Sequence, residues 1–147
     1  ASYAQVYKMY STRNYHNQLR LNTMTGEVQQ IQDDGQSWII CSAREISGDK
    51  ESRFCLYETQ NMWTFILLDS YNGRLWQVQY STQDLDNLFC IPINKDELGS
   101  DNEKCIFSIQ PLTSMYQYYL INDRTGDMWK FQWSTKGDDY RWIEKFK

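Results

Sequence analysis

Apolar residues in this chain recur at every second position in short runs, not at the three-to-four spacing of a helix. In LWQVQYS, Trp76, Val78 and Tyr80 share one face while Leu75, Gln77 and Gln79 share the other, and MWKFQWS repeats the pattern with Trp129, Phe131 and Trp133. The preceding run, WTFILLD, is apolar on both faces, which predicts a strand covered from both sides. Two further strands flank each such pair: RFCLYET, with VYKMYS and IFSIQP as counterparts, and LFCIPI, with SWIICS and YRWIEKF. Between the paired runs stand Asx-containing stretches ending in Gly, a hairpin signature because Gly supplies the positive φ that tight turns need.

These pieces form one unit used three times. Aligning on Gly26, Gly73 and Gly126 superposes three stretches without a gap, with Asn22, Asp69 or Asn122 four residues before the glycine and Gln32, Gln79 or Gln132 six after it. The units run over about 4–45, 52–94 and 104–147 of a single domain, 1–147. Three units of four antiparallel strands predict an all-β fold of three four-stranded meanders. Repeat length and short connections favour a three-bladed, propeller-like arrangement, with a β-trefoil as the alternative. A second copy of the chain is a further way to complete a larger ring.

Composition narrows the classes. Aromatic residues make up 16% of the chain, with 6 Trp and 11 Tyr, so large rings carry much of the burial. The net charge of −4 and the absence of a long Lys/Arg block argue against nucleic acid as a partner. No apolar run approaches the length of a membrane-spanning helix, so no membrane partner is expected. The opening ASYAQVYKMY lacks the basic and apolar segments of a signal peptide, while a start at Ala1 leaves a removed leader open.

The wording LLDSYNGRLW resembles the D-x-x-T/N-G-x-x-W hairpin of quinoprotein-type propeller blades, over about ten residues per repeat. The wider pattern, LYETQNMWTFILLDSYNGRLWQVQYS with STKGDDYRW after the third copy, resembles small three-repeat all-β proteins encoded by gut bacteria of the Bacteroides type. Neither resemblance carries a cofactor, an activity or a site residue with it. The first copy departs from both where Gln29 replaces Trp76 and Trp129.

Candidate chemistry is sparse. Gln32, Gln79 and Gln132 are the strongest repeated polar set: around a threefold axis, three amides would line a shared pocket for a polar ligand, whereas the plainer reading ties each to its own strand. Trp63, Tyr116 and Tyr57, with Asn61 and Asn14 near the first bend, offer rings beside amides, a combination suited to sugars, nucleobases or proteins. His16 aligns with Trp63 and Tyr116, so an aromatic slot is a better reading than a general base.

Cys41, Cys55, Cys90 and Cys105 lack the CxxC spacing of a zinc or redox motif. They are read as buried thiols of a cytoplasmic protein; the alternative is two disulfides, Cys41–Cys55 and Cys90–Cys105, in an extracytoplasmic one. The loops at Asp84–Asp86, Asp96–Leu98 and Gly137–Asp139 lack a calcium-loop pattern and read as solvated charge. No metal or cofactor is expected.

The leading functional expectation is a non-enzymatic binding module for a protein, glycan or small polar ligand. Its alternatives are an assembly subunit acting as a homo-oligomer and a hydrolase using loop carboxylates. Function is expected where the copies differ, above all in the connection NKDELGSDNEK from Asn94 to Lys104.

Overall fold

In the computed structural model, which describes residues 5–94, 96–99, 104 and 106–147, the chain forms twelve strands. The first sheet holds β1 (Tyr7–Ser11), β2 (Asn17–Asn22), β3 (Val28–Gln32) and β4 (Ser37–Cys41). The second holds β5 (Phe54–Glu58), β6 (Thr64–Asp69), β7 (Leu75–Gln79) and β8 (Phe89–Pro92). The third holds β9 (Phe107–Pro111), β10 (Gln117–Asn122), β11 (Met128–Gln132) and β12 (Trp142–Lys145). Each is an antiparallel meander in chain order. Among the described residues no closed barrel forms, which removes the trefoil alternative: their strands pair only within their own unit.

The central turns follow from their sequence. Asn22 Oδ1 accepts the amides of Met24 and Thr25, and the Gly26 amide closes back on the Asn22 carbonyl at 2.9 Å. Asp69 and Asn122 do the same in the other units. Gly26, Gly73 and Gly126 sit at φ 82, 80 and 78°, where an L side chain is strained.

The sheets stack face on face, and the stacking has a direction. Leu19, Leu21 and Val28 of the first sheet pack on Phe65, Leu67, Trp76 and Val78 of the second. The opposite face of the second sheet, with Ile66, Leu68, Leu75 and nearby Ile93, packs on Tyr118, Leu120, Trp129 and Phe131 of the third. Every residue of β6 is therefore buried, as its two-sided apolar pattern predicts.

The two junctions use corresponding positions, so every sheet has a head face, carrying the Phe65-type positions, and a tail face, carrying the Ile66-type positions. Both faces of the second sheet are covered. The head of the first sheet and the tail of the third are not: among the described residues, no buried apolar cluster or side-chain hydrogen bond joins those two sheets. The blades form an open arc.

That geometry explains the divergence of the first copy. Its head positions are Gln18, Arg20 and Gln29, where the second and third copies place Phe65 and Tyr118, Leu67 and Leu120, and Trp76 and Trp129. With no blade of the same chain before it, this face keeps a polar centre, across which Arg20 donates to Gln29, and leaves Tyr7, Met9 and Ile39 uncovered around it.

Candidate functional site

The first bend of each unit is built to present one side chain. Asn61 Oδ1 accepts the Trp63 amide at 2.9 Å, Asn14 Oδ1 the His16 amide at 3.1 Å, and Ser114 Oγ the Tyr116 amide at 3.3 Å. In each case a short polar side chain closes a turn on the backbone two residues ahead. The candidate amide Asn61 thus positions Trp63.

Each presented ring meets a partner from the end of the third strand. Trp63 lies on Tyr80 with centroids 5.0 Å apart, and Tyr116 lies on Trp133 at 4.7 Å, both tilted. In the first unit the pair becomes His16 and Asp33, with Nδ1 and Oδ2 2.7 Å apart on an exposed surface. The aromatic slot expected for His16 is filled there by a polar pair, with the His16 ring tilted against the exposed Tyr15 ring.

The three glutamines also keep to their own units. Gln79 Nε2 donates to the Asn87 carbonyl and Gln132 Nε2 to the Tyr140 carbonyl, both at 2.9 Å, tying the end of the third strand to a short 3₁₀ turn. Gln32 Nε2 donates to Asp34. These contacts are local, and they leave Gln79 and Gln132 on the walls of clefts.

Two clefts meet at Trp63. One, of about 560 Å³, lies over Trp63, Gln79, Tyr80, Ser81, Thr82 and Asn87. The other, of about 540 Å³, runs from Asn61, Trp63, Gln79 and Phe89 to Lys136 and Arg141 of the third unit. A smaller cleft of about 210 Å³ repeats the first at the corresponding positions Tyr116, Gln132, Trp133, Ser134 and Thr135. Five of the six candidate residues, Asn61, Trp63, Gln79, Tyr116 and Gln132, therefore line clefts, while Gln32 stands apart in the first unit. Tyr57 is half-buried against the third sheet, and burial pushes its hydroxyl well above the usual tyrosine range.

The cleft between the second and third units contains a residue that sequence reasoning passed over. The Arg141 side chain is 7% exposed, with Nη1 donating to Gln77 Oε1 and the Ser134 carbonyl, and Nη2 pairing with Asp138 at 2.8 Å. Its Nε, shut off from solvent, has no hydrogen-bond partner among the described residues. A single arginine outside the repeat pattern carries no periodic signal. The other such atom is the Tyr80 hydroxyl, which points toward Thr12 and the Asn14 backbone of the first unit; burial holds its pKa above the ordinary value.

The loop acids do local work: Asp84 accepts the Asp86 amide, and Asp138 holds Arg141. Among the described residues, no three His, Cys, Asp or Glu side chains are grouped to hold a metal ion.

Cys41 and Cys90 are free thiols set beside one another across the first junction, not Cys41 with Cys55. The disulfide alternative fails for that pair because Cys41, on the last strand of its sheet, packs with Cys90, on the last strand of the next. Burial first, then the neighbouring Cys90, raises the Cys41 pKa well above that of a free thiol. Cys105, and with it the Cys90–Cys105 pairing, lies outside the described residues, as does much of the Asn94–Lys104 connection. Compared with known proteins, the chain matches no family model, no curated protein and no solved structure.

Proposed function

We propose that the chain is a non-enzymatic binding module, and that the paired clefts at Trp63 take a polar, ring-bearing ligand of the saccharide type. The observation that carries this reading is the recurrence of one arrangement, a tilted aromatic pair beside a glutamine and two hydroxyl residues, at Trp63, Tyr80, Gln79, Ser81 and Thr82 and again at Tyr116, Trp133, Gln132, Ser134 and Thr135. An aromatic face covers the apolar side of a sugar ring, while amides and hydroxyls meet its edge. The volumes suit one or two rings.

The reading is tested by calorimetric titration of the chain with a panel of neutral and acidic oligosaccharides. Binding of at least one, weakened about tenfold or more by Trp63→Ala, supports it, since ring stacking of this kind contributes about 1–3 kcal/mol. Binding that ignores Trp63→Ala, or no binding across the panel, refutes it.

A further inference from the structure

The two open faces of the arc correspond to each other. On the tail of the third sheet, Tyr119, Ile121, Met128 and Phe146 occupy the positions of Ile66, Leu68, Leu75 and Ile93, which are buried in the second sheet at 0, 0, 0 and 7% exposure. Phe146 is instead 45% exposed, and the other three are half-buried. On the head of the first sheet, Tyr7, Met9 and Ile39 are 50, 47 and 54% exposed. Both end faces thus leave large apolar side chains uncovered, on the head around a polar centre of Gln18, Arg20 and Gln29, and uncovered groups of this kind mark an interaction surface.

The chain itself shows what such a surface receives. At the first junction, Gln30 Nε2 donates to the Ser81 carbonyl at 2.8 Å; at the second, Gln77 Nε2 donates to the Ser134 carbonyl at 2.8 Å, and the Ser134 amide returns to Gln77 Oε1 at 3.1 Å. A tail-face glutamine thus grips the backbone of a head-face serine at both junctions. At the ends of the arc both partners change: the tail position of the third sheet is Lys130 and the head position of the first is Asp34. The amide-to-backbone grip is replaced by opposite charges. Lys130 has no ion-pair partner among the described residues, and Asp34 is exposed.

We propose that a second copy of this chain completes the arc, the tail of each third sheet docking on the head of the other copy's first sheet, with Lys130 facing Asp34 at both new junctions. Two three-bladed arcs joined this way give a six-bladed, twofold-symmetric ring, within the four to eight blades at which propellers close. The Lys130–Asp34 pair fixes the head-to-tail orientation, because tail-to-tail docking would leave Asp34 outside the interface.

The test is native mass spectrometry of the chain at micromolar concentration, with sedimentation velocity in parallel. The expected species is a dimer, at twice the 17.7 kDa chain mass. Lys130→Asp or Asp34→Lys alone shifts it at least tenfold toward monomer, and the two together restore it; both sites lie at the surface, and circular dichroism verifies that the variants remain folded. A monomer under these conditions overturns the proposal. So does a dimer indifferent to Asp34→Lys, or an open ladder of multimers, which would keep the contact but not the ring.

Discussion

Gln77 of the second sheet holds both backbone groups of Ser134 in the third, donating to its carbonyl at 2.8 Å and accepting its amide at 3.1 Å. Both residues are buried, and Arg141 Nη1 shares the same amide oxygen at 3.2 Å. Gln77→Ala leaves the buried Ser134 amide without a partner, while the Ser134 carbonyl and Arg141 Nη1 keep each other at 3.0 Å. The expected cost is about 1–3 kcal/mol by urea unfolding, against less than about 0.5 kcal/mol for Gln18→Ala on the exposed head face. Equal effects would contradict the role assigned to this grip.

Arg53 and Asp69 form a buried ion pair, at 5 and 1% side-chain exposure, with Arg53 Nε 2.9 Å from both carboxylate oxygens. Burial raises the Asp69 pKa, with Arg53 and the turn amides pulling it back. Arg53→Met strands a buried carboxylate and is expected to cost about 3–5 kcal/mol. Adding Asp69→Asn should recover most of that loss, since Asn22 and Asn122 hold the same turn in the other units. Additive losses in the double variant would show that the pair is not the unit of stability.

Glycine substitutions separate turn strain from crowding. Gly126→Ala meets no atom within 4 Å and carries only the penalty of a positive φ, about 1–2 kcal/mol. Gly26→Ala adds a methyl that collides with Ile46 Cγ2 and should cost more by about 1 kcal/mol. Thermal unfolding of the two variants reads the difference directly.

The Cys41 thiol should be slow to alkylate. Because its pKa is raised in the folded chain, the thiolate fraction near pH 8 falls below that of an ordinary cysteine, and the native reaction grows only as pH climbs above the free-thiol range. In urea the lag should vanish. Rapid labelling of native Cys41, mapped by peptide mass, would contradict its placement in the junction.

Most of the fold was legible because its signals are local. Two-residue alternation marked the strands, the two-sided run WTFILLD marked the central sheet's buried strand, and Asx-to-Gly spacing marked turns that the structure forms at Gly26, Gly73 and Gly126. The presented rings Trp63 and Tyr116 were legible for the same reason. The direction of stacking was not, since it depends on which face of each sheet meets the next. Gln29 was visible as a departure from Trp76 and Trp129, but its reason, an uncovered head face, needs the stack. Arg141 belongs to one unit only, so repetition could not reveal it. The Cys41–Cys90 neighbourhood joins strands far apart in sequence, where spacing along the chain is a poor guide.

The central claim, a ligand cleft walled by Trp63, is tested most directly by following indole N–H resonances in a nitrogen-15 correlation spectrum while adding the tightest-binding oligosaccharide of the panel. Trp63→Phe assigns the relevant signal among the 6 tryptophans. The account predicts a saturable shift of the Trp63 indole together with the side-chain amides of Gln79 and Asn87, and little change at Trp76, buried in the first junction. Shifts confined to the first unit or to the open sheet faces, with Trp63 unmoved, would contradict it.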